Sequence, residues 1–335
     1  MPRQARIDAP GALQHIIVRG IERRKIFQDD ADRMGFVARL SRVLQESGTR
    51  CYAWALMPNH VHLLLQTGKV PVATVMRRLL TGYAVTFNRR HRRHGHLFQN
   101  RYKSILCQQD VYLVELVRYI HLNPLRGNLV RALGELDRYP YAGHSALMGH
   151  QEREWQDTAG VLGQFGRQAR GARRAYRAFM AAGIPAGRRP ELVGGGLIRS
   201  LGGWTAVKTS RRGEGRIKGD ERILGDSGFV LEVLQASEEQ LKRQDKLRRQ
   251  GYDLEKLACQ VAAVFGLTPA EIFRPTKHPA LVAARSVFSY WAVRELRVTT
   301  TALARRLGLT QPAISTAVRR GEDLARTRGL RLADG

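Results

Sequence analysis

Two histidines separated by a single residue are the first feature of this sequence with chemical potential. They occur in the run Pro58-Asn59-His60-Val61-His62, which continues into leucines and is typical of a strand. Side chains two residues apart in a strand share a face, so His60 and His62 would stand side by side while Val61 turns into the core. Two neutral imidazoles on one face can share a divalent metal ion. Taken alone, this pattern is more often structural, so a second element has to decide.

A tyrosine and an asparagine four residues apart supply that element. Tyr119 and Asn123 fall on a helical pattern, where such a spacing places two side chains on one face. The Asn123 carboxamide oxygen is a suitable third ligand for Mg²⁺ or Mn²⁺, and the Tyr119 phenol would be held beside that ion. A phenol, with an ordinary pKa of ~10, is protonated at neutral pH and needs a proton acceptor or a metal before it attacks a phosphodiester. This is the arrangement that a tyrosine nucleophile needs, beside a metal ion that the two histidines and Asn123 could share.

Ordinary structural roles compete with this interpretation. Tyr119 is also compatible with a core aromatic position, and Asn123 with the end of a helix before Pro124. Tyr112 is a rival nucleophile because it lies seven residues earlier, near the same helix face. The residue four positions after it is Leu116, which cannot bind a metal.

The elements that must position these groups form an α+β pattern over the first 145 residues. Strands are expected at Leu13–Val18, Arg50–Met57, His60–Gln66 and Tyr102–Gln108. Helices are expected at Asp29–Glu46, Val70–Asn88 and Asp110–Leu122. Pro58-Asn59 predicts a tight turn between the two central strands, Asp110 an N-cap, and Asn123-Pro124 a helix stop.

Composition indicates a polyanionic partner. The chain has 335 residues with a formal net charge of +27, and 43% of its residues are hydrophobic, so the charge belongs to folded surfaces. Basic residues cluster before the tyrosine helix, interleaved with aromatic residues that can stack bases. They are Arg77, Arg78, Arg89, Arg90, Arg92, Arg93, Arg101 and Lys103. The three cysteines have no paired spacing, which disfavours a disulfide framework and a zinc finger. No signal peptide or membrane-spanning segment is expected, and we therefore predict a cytoplasmic protein.

The last eighty residues form a second, all-α pattern. Thr301–Ser315 has the spacing of a helix-turn-helix, with Gly308 suited to the turn. The second helix would begin at Gln311. Residues able to reach bases and phosphates there are Arg305, Gln311, Ser315, Thr316, Arg319 and Arg320. We therefore predict three segments: a sheet domain over 1–145, a partly helical connecting region over 146–245, and a DNA-binding domain over 246–330.

The two motifs together resemble a known family. Pro58-Asn59-His60-Val61-His62, followed by Tyr119-Ile120-His121-Leu122-Asn123-Pro124, is similar to the HUH single-tyrosine transposases, IS200-like, and within them to the REP-associated tyrosine transposases. The resemblance covers about residues 8 to 145. It implies a ferredoxin-like or RRM-like antiparallel sheet, a divalent metal on His60, His62 and Asn123, and Tyr119 as nucleophile. It also implies cleavage of single-stranded DNA hairpins, such as repetitive extragenic palindromes, through a 5′-phosphotyrosine link.

A second resemblance concerns the C-terminal helices. The stretch from Leu257 through Arg294-Glu295-Leu296 to the helix-turn-helix looks like the DNA-binding domain of the replication initiator DnaA, which is similar to the Trp repressor. The chain has Thr310-Gln311-Pro312-Ala313 where the initiator carries Asp-His-Thr-Thr. This likeness implies duplex DNA binding, without recognition of the initiator's own site.

Three functions remain in competition at this point. The first is a metal-dependent transposase that nicks and rejoins hairpin-forming single strands near the nucleoid, as a monomer or a homodimer. The second is a DNA-binding regulator without catalysis. The third is an HUH rolling-circle initiator or relaxase, which Tyr112 keeps open as a second tyrosine on the same helix.

Overall fold

A computed structural model describes most of the chain. It covers residue 7 and residues 11–68, 70–187, 189–193, 220–226, 228–236, 251–274, 278–296 and 298–332. The chain divides into two compact units, Met1–Val233 and Leu234–Gly335. No helix in the described part of the chain is long and apolar enough to cross a membrane.

The first unit is built on a five-stranded sheet. Its strands are β1 (Leu13–Arg19), β2 (Arg50–Met57), β3 (His60–Gln66), β4 (Lys103–Cys107) and β5 (Ile223–Leu224). The strand order is β2-β3-β1-β4-β5. The first four strands pair antiparallel, in the order of a ferredoxin-like βαββαβ unit. The α+β prediction is confirmed, but the sheet is mixed rather than antiparallel because the two residues of β5 pair parallel with β4.

One face of the sheet is covered by two long helices, α1 (Asp30–Ser47) and α2 (Val72–Arg90). The Asp29 side chain caps α1 by accepting the backbone N–H of Asp32 at 3.0 Å. The buried side chains of this layer include Phe36, Trp54 and Tyr83. Because strand residues alternate between faces, this layer takes the odd positions of β3 and leaves His60 and His62 to the opposite face.

The opposite face carries α3 (Gln109–His121), which buries Leu116, Val117 and Ile120 against the sheet. One detail of the prediction for α3 is wrong. The N-cap is Gln108, and Asp110 lies in the first helical turn, where a negative charge is favourable beside the exposed N–H groups. The expected end of the helix before Asn123-Pro124 is confirmed within one residue, since α3 ends at His121. Leu122, with φ −80° and ψ −7°, then leads into a short helix, α4 (Asn123–Arg126).

The segment after residue 126 continues the first unit. Its helices are α5 (Leu133–Leu136), α6 (His144–Leu147), α7 (Thr158–Leu162) and α8 (Ala169–Ala182), followed by a short 3-10 turn at Pro190–Val193. Val161, Tyr176 and Met180 are buried in the same core as α3. The expectation of a connecting region from residue 146 is therefore corrected up to residue 193, because these helices complete the core. Residues 228–236 form a further helix, while 194–219 and 237–250 lie outside the described residues.

The described residues of the second unit are helical. They form α9 (Leu254–Phe265), α10 (Pro269–Phe273), α11 (Pro279–Arg294), α12 (Thr300–Leu307) and α13 (Gln311–Thr327). Gly308 adopts φ +62° between α12 and α13, as the turn requires. Gly321 allows α13 to approach α11, since an added Cβ would lie 1.9 Å from the Ser286 carbonyl oxygen.

Candidate functional site

His60 and His62 lie on β3, the strand between β2 and β1, and both project toward α3. In the sheet register His62 lies opposite Ile17 of β1, and His60 lies opposite Arg19. Their ring centroids are 5.1 Å apart in an edge-on arrangement. His62 is 3% exposed, whereas His60, next to the Pro58-Asn59 turn, is partly open to solvent. The sheet thus brings the two predicted imidazoles together at the open end of the strand.

Tyr119 reaches the same place from α3. Its ring centroid lies 5.7 Å from that of His62 and 5.9 Å from that of His15, both in edge-on contact. The guanidinium of Arg126 lies 5.7 Å from the Tyr119 ring. Tyr112 is seven residues earlier on α3, roughly 10 Å back along the helix axis. Of the two candidate nucleophiles, Tyr119 is the one whose ring contacts His62.

A third histidine, His15 on β1, is hydrogen-bonded to His62. His15 Nδ1 lies 3.1 Å from the carbonyl oxygen of Leu192, and His15 Nε2 lies 3.0 Å from His62 Nδ1. A carbonyl oxygen only accepts, so His15 donates to it from Nδ1 and keeps a lone pair on Nε2. His62 then donates from Nδ1 to that lone pair. The remaining lone pair of His62 therefore lies on Nε2, the atom available to a metal.

A similar chain fixes His60. The Asn59 amide nitrogen donates to the carbonyl oxygen of Arg23 at 3.0 Å, which determines the orientation of that amide. The Asn59 Oδ1 atom then accepts from His60 Nδ1 at 2.6 Å. His60, like His62, is left with its lone pair on Nε2. Two independent hydrogen-bond chains thus give both imidazoles the same tautomer.

All three histidines are neutral at neutral pH. Burial lowers the pKa of His15 to about 4, and a hydrogen bond to the Leu192 carbonyl opposes this only in part. Burial, aided by the nearby Arg19 charge, lowers the pKa of His60 to about 4. Burial, with His15 and His60 beside it, holds the pKa of His62 well below 6.5. Because a metal binds only the neutral imidazole, these shifts keep the two predicted ligands, His60 and His62, in the required protonation state at physiological pH.

Asn123 is the third predicted ligand, and its environment fits the role. It opens α4, one turn after Tyr119, and its Nδ2 atom is buried with no hydrogen-bond partner among the described residues. A half-turn of the last torsion would put the amide oxygen, the atom that can bind a cation, in the place of this unpaired nitrogen. Among the described residues no group of three His, Cys, Asp or Glu side chains is suited to a metal ion.

Behind the Tyr119–Asn123 segment lies a buried polar network. Tyr176 of α8 places its hydroxyl 2.8 Å from His121 Nδ1 and 2.8 Å from His144 Nδ1. His144 Nε2 in turn donates to the Asp137 carboxylate at 2.8 Å. His144 is thereby left with a lone pair on Nδ1, so the Tyr176 hydroxyl donates to it and accepts from His121. Through this network α8 is hydrogen-bonded to His121, which lies between Tyr119 and Asn123 in the sequence.

The predicted basic residues of the first unit do not behave alike. Arg90 is held by Asp29 and Asp32, with N–O distances of 2.6 and 2.5 Å, so its charge is already neutralised. Arg78 pairs with Glu46. Lys103 begins β4 and donates to the carbonyl oxygen of Val193 at 2.8 Å, while Arg101 is exposed.

The predicted DNA-contacting residues of the second unit lie on α12 and α13. Arg305, Ser315, Thr316, Arg319 and Arg320 are exposed, and Gln311 is partly exposed. The Ser315 and Thr316 hydroxyls bond back to the carbonyls of Gln311 and Pro312 at 3.1 Å. The apolar side chains of these two helices are turned inward, which leaves the polar face of α13 to solvent.

Sequence reasoning missed His15, the role of Asn59, and Tyr176. His15 had one signal, since it is a histidine in a strand, Leu13–Val18, whose other residues apart from Gln14 are apolar. A polar residue at such a position needs a buried partner. Tyr176 had none, because its partners lie 32 and 55 residues away in the sequence.

The chain was compared with known proteins. Residues 11–123, about a third of the chain, match the sequence model of a family described as "Transposase IS200 like". A solved structure described as "Structure of the REP associates tyrosine transposase bound to a REP hairpin" is similar with 16% sequence identity and a TM-score of 0.37, over 46% of this chain and 91% of that chain. No curated protein sequence matches. The segment that is similar to the IS200-like transposases thus contains His60, His62 and Tyr119 and ends on Asn123.

Proposed function

We propose that this protein is a metal-dependent DNA transposase that nicks and rejoins single strands at Tyr119. The observation that carries the proposal is the contact of Tyr119 with His62, beside His60, where both imidazoles are neutral and have Nε2 free of a proton. The match of residues 11–123 to the IS200-like transposases supports it. Its place of action would be the cytoplasm, at the nucleoid.

The reaction follows from the side chains present. The Tyr119 phenolic oxygen attacks the phosphorus and gives up its proton to solvent, and the 3′ oxygen leaves and takes up a proton. The product is a 5′-phosphotyrosine and a free 3′-hydroxyl. Attack by a 3′-hydroxyl on the phosphotyrosine reverses the step and joins two strands, so the energy of the ester is kept for rejoining.

A divalent ion, Mg²⁺ or Mn²⁺, fits His60, His62 and Asn123 in this proposal. When bound, it would act as a Lewis acid on the phosphate that Tyr119 attacks. The hydrogen-bond chains through Asn59 and His15 hold the two imidazoles in the required tautomer. Arg126, beside the Tyr119 ring, contributes positive charge where the phosphate would lie.

The substrate proposed is a single strand that folds into a short imperfect hairpin, similar to a repetitive extragenic palindrome. The resemblance of the two motifs to the REP-associated tyrosine transposases supports this class. For the second unit we propose duplex DNA binding through α13, whose exposed Ser315, Arg319 and Arg320 are suited to bases and phosphates. Such binding would hold the protein near its target.

The test is a covalent-capture experiment on the full chain. Hairpin oligonucleotides labelled at the 3′ end are incubated with Mn²⁺ or Mg²⁺, and denaturing gels are examined for labelled protein. Wild-type protein and Tyr112→Phe should form the adduct, whereas Tyr119→Phe and a chelator-treated sample should not. An adduct that survives in Tyr119→Phe would show that the nucleophile is wrong, and binding without any adduct would favour the non-catalytic regulator.

A further inference from the structure

A cavity of about 410 Å³ in the first unit is lined by the segment before α1, by the end of α2 and by the residues that follow α2. It is lined by Arg24, Lys25, Gln28, Phe87 and Arg93. We call it the Arg24 pocket. Its size falls in the range of small-molecule sites, roughly 300–1,000 Å³, and its lining combines three cations, one amide and one aromatic ring.

The pocket holds more positive charge than its surroundings neutralise. Arg24 pairs with Glu22 at 2.9 Å, but both side chains are about two-thirds exposed, so solvent screens that pair. Lys25 and Arg93 form no ion pair with any of the described residues. Arg90, the last residue of α2 and three residues before Arg93, is in contrast paired with two aspartates. The Arg24 pocket is therefore a place where an anion would be attracted rather than repelled.

The pocket also offers stacking and hydrogen-bonding groups. The Arg93 guanidinium lies over the Phe87 ring, 5.8 Å from its centroid. This contact orients a planar cation toward the cavity, and a guanidinium plane is a surface on which nucleobases stack. Gln28 is exposed and can both donate to and accept from a base edge. Phosphate, base plane and base edge each have a matching group, as a nucleotide requires.

The loop that carries Arg24 and Lys25 is fastened to the turn that begins the histidine strand. The Ile26 N–H donates to the carbonyl of Pro58 at 2.8 Å, and Asn59 Nδ2 donates to the carbonyl of Arg23 at 3.0 Å. Asn59 is also the residue that fixes the tautomer of His60. The segment that lines the Arg24 pocket is thus hydrogen-bonded to the turn that begins the strand of His60, whereas Phe87 belongs to the layer of α1 and α2 on the other face of the sheet.

We infer that the Arg24 pocket binds one nucleotide of the single-stranded DNA that flanks the phosphodiester cut at Tyr119. Arg24 and Lys25 would bind its phosphate, and Arg93 would stack on its base while Gln28 reads the edge. The inference rests on the proposed function and deepens it, because it names where the strand runs next to the cleavage site. It concerns a single strand, since only an unpaired base can enter a cavity and stack.

The experiment measures binding without cleavage. Full-length Tyr119→Phe protein is titrated into a fluorescein-labelled twelve-nucleotide dT strand at several salt concentrations. The triple variant Arg24→Gln, Lys25→Gln, Arg93→Gln is compared with a control that removes the same charge from exposed positions of the same unit, Arg167→Gln, Arg170→Gln, Arg174→Gln. The urea midpoints of the two triple variants are measured to show that both are folded.

The pocket variant should bind the dT strand at least about tenfold more weakly, and its salt slope should fall by about 0.7 for each phosphate that the variant no longer neutralises. The control should stay close to the parent. Equal weakening in both variants, or an equal weakening on a twelve-base-pair duplex, would overturn the inference. Because the protein used cannot react at Tyr119, a failure of covalent capture would contradict the proposed function without changing this result.

Discussion

Replacing His15 by phenylalanine removes the acceptor behind His62 while keeping a ring in the core. His15 is fully buried, and His62 donates to it at 3.0 Å, so His15→Phe leaves a buried imidazole N–H without a partner. Such a group costs about 1–3 kcal/mol of folding free energy. The tautomer of His62 is also no longer fixed, and removing a hydrogen-bond partner that orients a metal ligand in this way lowers metal affinity about 10- to 100-fold.

Two measurements on the full chain check this prediction. Urea unfolding without metal reports the stability loss, and calorimetric titration with Mn²⁺ reports the affinity. His91→Phe is the control, because His91 bonds to Asp32 in the helical layer on the other side of the sheet and should cost stability alone. His15→Gln, which restores an acceptor, should recover part of the affinity. If His15→Phe binds Mn²⁺ as tightly as the parent protein, the account of the tautomer chain is refuted.

Two further predictions concern pH and the polar network. His15 has a pKa of about 4 in the folded protein and 6.5 in the unfolded chain, so below pH 6.5 the unfolded chain takes up the proton first. Between pH 6.5 and 4 this difference should lower the free energy of unfolding of the metal-free protein by up to about 3 kcal/mol. Urea unfolding of His15→Phe at several pH values should show a weaker dependence of this free energy on pH. An unchanged slope would contradict the burial argument. Tyr176→Phe leaves buried nitrogens of His121 and His144 unpaired, so it should lower the free energy of unfolding by about 2–6 kcal/mol in urea. Tyr141→Phe, at a half-buried position, is the control and should cost much less. Equal losses in the two variants would contradict the role of the Tyr176 hydroxyl in the polar network.

The strands and helices of the first unit were largely predictable because their signals are local. The alternation of β3 placed its bounds at His60–Gln66, as observed, and the periodicity of α1 placed it within one residue at each end. The pairing of His60 with His62 on one face followed from the same alternation. Tyr119 and Asn123 followed from helical spacing, and the structure keeps them one turn apart even though the helix changes register at Leu122.

The hydrogen bonds that hold the site residues in place were not predictable, because each joins distant parts of the chain. His15 meets Leu192 across 177 residues, and Tyr176 meets His121 across 55. No local pattern encodes such pairs. The same reason explains why α8 was interpreted as part of a connecting region. The sequence of α8 is amphipathic, with basic residues on one side, but only the fold shows that its apolar side packs into the same core as α3.

The most direct test of the central claim is identification of the residue that carries DNA. Wild-type protein captured on a hairpin oligonucleotide with Mn²⁺ is digested with nuclease and trypsin, and the modified peptide is sequenced by mass spectrometry. We expect a nucleotide joined through its 5′ phosphate to the oxygen of Tyr119, the residue in contact with His62. A nucleotide on Tyr112, on any other residue, or joined through a 3′ phosphate would contradict it.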